Sequence, residues 1–383
     1  MHYCFVNMPI EFYSPISGGA IATVIMQTTR GLLSSGNQVS VLTTIDDNPT
    51  YPVGTIVPIN YTLAENLRRF PRFVSRVIGK LEGFDWPCFD HFLCSFLKAL
   101  RHLKPLPDVV VLFNDLASSE YVKRALPRAK VLVWFHNECR SRHNIRKTIE
   151  ATDIFVANSA YIRDWTLSEH HLPSERFFVA HNGVDLDAFK PRHDFLLKAE
   201  PMRVLFIGRI DPNKGPDIAA TAIANLQKEN HEVTLTVVGG LWFYGNSESS
   251  DNPFFQVLKI KINEVNAKYL GHVERGSVPE IVRQHDVVCV LSRTNEPFGL
   301  VALEAMASGC AVIASNRGGL PEACGDAALL VDESDPVAVC DALRSFVADR
   351  ERLNDYKRKA ICRAAQQPWA KCSKIIESAV QGL

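Results

Sequence analysis

The chain has 383 residues, of which 46% are hydrophobic and 22% charged, so its composition suits two folded domains and excludes a disordered protein. Its 42 basic and 42 acidic side chains balance, which argues against a nucleic-acid partner. The ten cysteines form no CxxC pair, and no signal peptide or uncharged apolar run of about 20 residues is evident, so we expect free thiols and a cytoplasmic protein.

Short apolar runs rich in β-branched residues alternate with longer helical patterns, which is typical of parallel sheets covered by helices. The first half contains six predicted strands: His2–Asn7, Val39–Thr44, Val109–Phe113, Val131–Phe135, Ile154–Ala157 and Phe177–Ala180. After a polar linker near Asp185–Pro201 the pattern restarts with five more: Arg203–Ile207, Val233–Val238, Val287–Leu291, Ala311–Ala314 and Ala328–Val331. Because such sheets bind ligands beyond their C-terminal strand ends, we predict an α/β protein whose two domains, 1–190 and 200–365, face a central cleft.

Two loops of the first half follow predicted strands. The stretch SPISGGA, at Ser14–Ala20, leads into an apolar helix, and Gly18 and Gly19 would let the backbone approach a phosphate or a sugar closely. An ordinary turn at the helix start is the alternative. His136, in WFHNE, comes at the end of the fourth predicted strand, where a purely structural histidine is the alternative to a site residue.

Residues 64–83, AENLRRFPRFVSRVIGKLEG, interleave basic and apolar side chains. Such a segment can lie on an anionic membrane surface, which would make the protein membrane-peripheral on the cytoplasmic side. A solvated helix whose apolar side packs on the first domain is the alternative.

The stretch GRIDPNKGPD, at Gly208–Asp217, follows a predicted strand and precedes an amphipathic helix. It places Arg209 and Lys214 just past the strand end, where a bound diphosphate would need positive charge. Two solvated basic residues in a loop are the alternative.

The stretch EPFGLVALEAMASGC, at Glu296–Cys310, reads as the start of a buried helix that nevertheless carries two carboxylates. Pro297 suits a helix start, so Glu296 should precede the helix and Glu304 should lie about two turns into it. The free amides around Gly299 and Leu300, at the positive end of the helix dipole, would bind an anion such as phosphate. The alternative is that Glu296 is a helix-start carboxylate and Glu304 an exposed helix residue.

EPFGLVALEAMASG resembles the signature of family-4 glycosyltransferases, in which two glutamates are separated by seven residues. GRIDPNKG resembles the phosphate loop of the same family, and HNGVD, at His181–Asp185, resembles its connection between domains. The resemblance implies the GT-B fold: two Rossmann-like domains with a nucleotide-sugar between them, and a C-terminal helix, 366–383, that crosses back to the first domain. It also implies hexosyl transfer with retention at the anomeric carbon.

Carried over residue by residue, the resemblance gives Glu304 the ribose hydroxyls and Glu296 the hydroxyls of the donor sugar. Arg209 and Lys214 would neutralise the diphosphate leaving group, and His136 would lie near the reacting centre. The remaining donor-binding positions are Gly18, Gly19, Gly208, Gly271, His272, Val273, Phe298, Gly299 and Leu300. Of these, the loop Gly271–Val273 would contact the nucleotide base of the donor.

We expect no metal and no other cofactor, because the DxD triplet at Asp185–Asp187 falls in the linker. The co-substrate would be a UDP-sugar in the first place and a GDP-sugar in the second. The acceptor would be a glycan, a lipid-linked molecule or a small molecule. The alternatives are a nucleotide-sugar epimerase of the same fold and a catalytically silent nucleotide-sugar-binding protein.

Overall fold

The computed structural model describes residues 1–8, 11–16, 19–59, 91–140, 145–196, 201–241, 252–333 and 335–382. They form two compact units. Unit 1 comprises Met1–Asn158, Ile162–Ala180 and Cys372–Leu383, and unit 2 comprises Ser159–Tyr161 and His181–Lys371. The predicted membrane-surface segment, 64–83, lies outside the described residues.

Unit 1 is built on a seven-stranded parallel sheet in the order β3-β2-β1-β4-β5-β6-β7. Its strands are β1 (His2–Val6), β2 (Gln38–Thr43), β3 (Thr55–Pro58), β4 (Val109–Phe113), β5 (Lys130–Phe135), β6 (Ile154–Ala157) and β7 (Phe177–Val179). The described helices of this half are α1 (Ala20–Ser34), α2 (His91–His102), α3 (Ser119–Ala125), α4 (Ile145–Ala151) and α5 (Ala160–His170). Every residue of β1, β4 and β6 is buried, because both faces of the sheet are covered, and this explains why these strands read as continuous apolar runs.

Unit 2 contains a six-stranded parallel sheet in the order β10-β9-β8-β11-β12-β13. Its strands are β8 (Met202–Ile207), β9 (Val233–Val238), β10 (Lys268–Tyr269), β11 (Val287–Val290), β12 (Ala311–Ser315) and β13 (Ala328–Val331). The described helices are α6 (Pro216–Lys228), α7 (Pro253–Glu264), α8 (Val278–Arg283), α9 (Leu300–Ala307), α10 (Leu320–Cys324), α11 (Pro336–Ala348) and α12 (Arg350–Ala365). A last helix, α13 (Trp369–Gln381), contributes its residues from Cys372 onward to unit 1.

The strand order of both sheets reverses at one point. In unit 1 the chain runs outward from β1 to β3 and then returns to place β4 beside β1, and in unit 2 β11 returns beside β8 in the same way. At such a switch point the loops after the two central strands diverge and leave a crevice at the carboxyl edge of the sheet. The topology therefore selects the loops after β8 and β11 as the place to look for a ligand site in unit 2.

A buried ion network joins α12 to the sheet of unit 2. The Nζ of Lys357 lies 2.8 Å from Oδ1 of Asp286 and donates to the Phe195 carbonyl oxygen at 2.8 Å. Arg203, at the start of β8, donates its Nε and its backbone N–H to Oδ2 of the same aspartate, each at 3.0 Å. These bonds satisfy a charge pair in which both Lys357 and Asp286 are almost fully buried.

Most predicted strands are confirmed to within a residue or two, but β3 and β10 were missed. Both are edge strands, and neither is fully buried, so neither needs a purely apolar sequence. Of the cysteines that the structure describes, eight are free and Cys94 is disulfide-bonded, so the expectation of free thiols is wrong at Cys94. None of the described helices is both long enough and apolar enough to cross a bilayer.

Candidate functional site

The loop after β8 is shaped so that Lys214 reaches the neighbouring β11 loop. Asp211 caps a short 3-10 turn, Pro212–Lys214, by accepting the N–H of Asn213 at 2.8 Å. Gly215 follows with φ of +71°, and a Cβ there would overlap the carbonyl oxygen of Leu291 at the end of β11. The glycine thus allows the two loops to touch at the switch point.

Lys214 and Glu296 form an ion pair across the two loops. The Nζ of Lys214 lies 2.6 Å from Oε2 of Glu296, and the hydroxyl of Ser292 donates to the same oxygen at 2.8 Å. Both charged side chains are partly exposed, at 29% and 18%, so a ligand can reach them. The structure therefore brings together two residues that lie 82 positions apart in the chain.

Two glycines lie directly beneath the backbone of Glu296. Gly319 donates its N–H to the Glu296 carbonyl oxygen at 2.6 Å. A Cβ on Gly319 would lie 2.9 Å from the carbonyl carbon of Pro297, and one on Gly318 would lie 2.6 Å from the Glu296 nitrogen. Only glycine lets the loop after β12 support the loop that carries Glu296 at this distance.

The helix after Glu296 starts later than the sequence suggests. The residue before its first turn is Gly299, in the left-handed region at φ of +105°, and α9 begins at Leu300. Pro297 is therefore not in the helix, and the prediction that Glu304 lies about two turns in is wrong: it is the fifth residue, a little more than one turn along. Glycine has no side chain that could cap a helix, so the first-turn amides of α9 receive no side-chain hydrogen bond from Gly299.

Phe298 and Glu304 are both buried, at 2% and 4% exposure. The Phe298 ring stacks on His181 with centroids 5.5 Å apart, and the His181 ring is in turn held by the carboxylate of Glu322. Glu304 is bound by the guanidinium of Arg275, with Nη1 donating to Oε2 at 2.9 Å and Nη2 donating to Oε1. The alternative of an exposed helix carboxylate at Glu304 is therefore wrong.

The loop Gly271–Val273 is tied to Gly208 through one glycine. Gly239, at φ of +145°, donates its N–H to the Gly271 carbonyl oxygen at 2.8 Å, and its missing Cβ leaves room for the Gly208 carbonyl. His272 is exposed, whereas Val273 packs on the core of unit 2. Arg209, next to Gly208, lies with its Nε 3.5 Å from Oδ2 of Asp211.

In unit 1, the start of α1 is occupied by a carboxylate of the chain itself. Glu11 accepts the N–H of Ala22 at 2.7 Å and further backbone bonds from Gly19 and Ile21. Burial raises the pKa of Glu11 to about 7, against the opposing effect of these three N–H groups. Gly18 lies outside the described residues, so the phosphate or sugar contact assigned to the glycine pair stays a prediction.

His136 is a buried, neutral imidazole at the end of β5. Its backbone N–H donates to Oδ1 of Asn114 at 2.6 Å, and its Nδ1 lies 3.4 Å from the amide nitrogen of Asn158. Burial lowers the pKa of His136 to about 3. Its Nε2 is buried and has no hydrogen-bond partner among the described residues.

Within unit 2 the structure joins Lys214 to Glu296, and Gly271 to Gly208 through Gly239, while His136 and Gly19 belong to the other unit. Ser292, Arg275 and the pair Gly318–Gly319 were missed by sequence reasoning. The glycine pair stands between a strand and a helix, so the argument applied to SPISGGA could have found it. Arg275 is one of many arginines in polar loops and carries no such signal. No cluster of three or more potential metal ligands occurs in the parts of the chain that the structure describes.

Comparison with known proteins gives a consistent result. Residues 18–188 match the family described as Glycosyltransferase Family 4, and residues 189–363 match the one described as Glycosyl transferases group 1. A D-inositol 3-phosphate glycosyltransferase from Mycolicibacterium gilvum (strain PYR-GCK) is 32% identical over 92% of this chain and 82% of its own length.

Two solved structures share the fold over the whole chain. Sucrose-phosphate synthase from Thermosynechococcus elongatus superposes with a TM-score of 0.75 at 20% identity, covering 100% of this chain and 98% of that one. HepE from Anabaena, in complex with UDP-glucose, gives a TM-score of 0.73 at 17% identity and covers 100% of both chains. With its seven- and six-stranded parallel sheets, the chain has the GT-B fold, and the predicted fold class is confirmed.

Proposed function

Because the chain belongs to glycosyltransferase family 4, we propose that it transfers a hexose or N-acetylhexosamine from a nucleotide diphosphate sugar to an acceptor, with retention at the anomeric carbon. The donor is a UDP-sugar in the first place, and the acceptor is a glycan, a lipid-linked molecule or a small molecule. The reaction needs no metal ion. HepE, which was solved with UDP-glucose, supports the choice of donor through its shared fold.

The observation that carries the proposal is the Lys214–Glu296 pair at the switch point of unit 2. A lysine and a glutamate held side by side supply a cation for a diphosphate and an anion for sugar hydroxyls. Both groups are half-buried, so a hydrogen bond to either one is stronger than it would be in bulk water. A pyrophosphate-linked sugar is a ligand that needs both kinds of group within a few ångströms.

In this proposal the reaction is driven by stabilisation of the leaving group. Negative charge grows on the diphosphate as the bond to the anomeric carbon breaks, and a fixed cation at that point lowers the barrier. Lys214 and Arg209 supply the cations, and the first-turn amides of α9 add partial positive charge. The departing phosphate oxygen takes the proton of the acceptor hydroxyl on the same face, so no protein nucleophile is required.

The other residues orient the donor. Glu296 accepts hydroxyl hydrogen bonds from the sugar, and Glu304 accepts those of the ribose. The backbone of Phe298, Gly299 and Leu300 contacts the sugar and the phosphate. The loop Gly271–Val273 contacts the nucleotide base. His136, which stays neutral, offers its Nε2 to a hydroxyl of the donor sugar.

Thermal-shift titration with UDP-, GDP-, ADP- and dTDP-sugars tests the proposal first, and transfer to an acceptor panel, with and without EDTA, tests it second. We expect one donor to raise the melting temperature and turnover to survive EDTA. Lys214→Ala should lower kcat by about 10²-fold, the usual result of losing one group that stabilises transition-state charge. The matched control is Lys228→Ala, which removes an exposed lysine from the same unit.

The alternatives give different outcomes in the same assay. Donor consumption that needs no acceptor would favour an epimerase. Donor binding without hydrolysis or transfer would favour a catalytically silent binding protein. A chain that binds none of the four donors would overturn the proposal.

A further inference from the structure

Glu304, to which the proposed function gives the ribose hydroxyls, is already engaged by a side chain of its own unit. Arg275 lies in the 3-10 turn Arg275–Ser277, and its guanidinium meets both carboxylate oxygens of Glu304. The side chain of Glu304 is 5% exposed and that of Arg275 is 32% exposed. The pair is therefore a fork whose acidic half is buried and whose basic half faces solvent.

We propose that Arg275 is a positioning residue for the donor: it fixes the Glu304 carboxylate so that the outer edge of one of its oxygens faces a ribose hydroxyl. This inference rests on the proposed function, because it presupposes a ribose at Glu304.

The Arg275 fork leaves part of the Glu304 carboxylate open. Two oxygens offer about four acceptor positions, and the guanidinium uses the inner one on each oxygen. The outer position on each oxygen remains, and these two positions point away from each other on opposite edges of the carboxylate. A ribose hydroxyl can therefore donate to one outer position while the fork stays intact.

The fork also compensates for the burial of Glu304. A carboxylate removed from water needs a paired cation and hydrogen bonds to offset the hydration that it has lost, and Arg275 supplies both. Arg275 thus affects the ribose through Glu304 and needs no contact with the donor itself.

A buried aromatic ring holds the arginine in place. Its guanidinium lies 5.2 Å from the centre of the Phe189 ring, and Phe189 is itself buried. Phe189 lies in the turn that follows His181–Asp185, where its N–H donates to the Asp185 carbonyl oxygen at 2.8 Å. The aromatic face restricts the arginine, so Arg275 and Phe189, from two separate segments, together set the orientation of the Glu304 carboxylate.

The test compares ribose with dideoxyribose. Calorimetry measures the affinity of the wild-type chain for UDP and for 2′,3′-dideoxyuridine diphosphate, with GDP, ADP and dTDP and their dideoxy analogues alongside. We expect the wild type to prefer the hydroxylated form of its nucleotide by about 30-fold, as one hydrogen bond to a charged acceptor would give. Arg275→Ala should reduce that preference to about threefold or less, because the dideoxy analogue never used Glu304.

Two further variants separate positioning from folding. Arg275→Lys keeps the charge without the fork and should restore part of the preference for ribose. Phe189→Leu keeps an apolar side chain but removes the ring and should reduce the preference by severalfold. Arg344→Ala is the matched control, because it removes an arginine–carboxylate fork with Glu229 on the surface of the same unit. Melting without ligand reports whether each variant folds.

The outcomes distinguish the two proposals. If the wild type binds none of the four diphosphates, the proposed function fails and the inference fails with it. If the wild type prefers ribose and a folded Arg275→Ala keeps the same preference, the inference alone is wrong. Tighter binding of UDP or GDP by Arg275→Ala would also overturn it, since Arg275 would then compete with the donor for Glu304.

Discussion

Replacing Gly319 by alanine should disable the donor site while leaving the fold intact. The backbone of Gly319 has φ of −85°, which alanine adopts without strain, so only the new methyl group matters. That methyl would overlap the carbonyl oxygen of Pro297 and would lie 2.9 Å from the carbonyl carbon of the same residue. Ordinary contacts begin at 3.4 Å, so clearing the carbonyl oxygen moves the loop that carries Glu296 by about 1 Å.

The expected effect follows from that displacement. Overpacking of this kind costs about 1–3 kcal/mol of stability, which a folded domain of this size tolerates. A shift of about 1 Å in a site can lower activity by about 10²-fold, so we expect kcat/KM to fall between tenfold and a hundredfold. The loss should appear in donor affinity as well, because Glu296 and the start of α9 move together.

Steady-state kinetics with the donor found by thermal shift, together with urea unfolding, measure both effects. The matched control is Gly276→Ala, whose methyl group would meet nothing within 4 Å and whose φ is not in the left-handed region. Wild-type kcat/KM in a folded Gly319→Ala protein would show that the support beneath Glu296 is unimportant and would refute the steric argument.

Three further predictions concern charge and burial. Glu11→Gln should stabilise the protein at pH 8 but not at pH 4. Burial raises the pKa of Glu11 from 4.5 to about 7, so the wild type loses up to about 3 kcal/mol of stability as pH rises across that window, which urea unfolding measures. Lys357→Met should cost about 3 kcal/mol in the same measurement, at the lower end of the range for a broken buried pair because Arg203 still neutralises Asp286; an unchanged midpoint would contradict it. His136→Ala should lower turnover at least tenfold. It should have little effect on the acid limb of the pH–rate profile, because burial lowers the pKa of His136 to about 3. Since the unfolded chain takes up that proton below pH 6.5, the wild type should lose stability as pH falls from 6.5 to 3, and the alanine variant should lose less.

The sequence alone determined the class of fold and the loops that matter. The central strands are buried on both faces, so they appear as continuous apolar runs that local reading detects. The motif residues follow these runs directly, so their position at the carboxyl edge of a parallel sheet followed from chain order. Edge strands such as β10 escaped detection because their exposed side places no apolar demand on the sequence.

Only the tertiary structure decided which charges meet. Lys214 and Glu296 are neighbours because β11 pairs with β8, a choice of strand order that no local pattern encodes. Arg275 reaches Glu304 because a turn after β10 packs against α9, and Phe189 lies beneath the arginine through a third segment. Packing also decided that α9 begins at Leu300 and that Glu304 is buried, since both depend on the residues that surround them. Local sequence fixes the backbone preferences of a few residues at a time, whereas the pairing of distant side chains is set by how the whole sheet assembles.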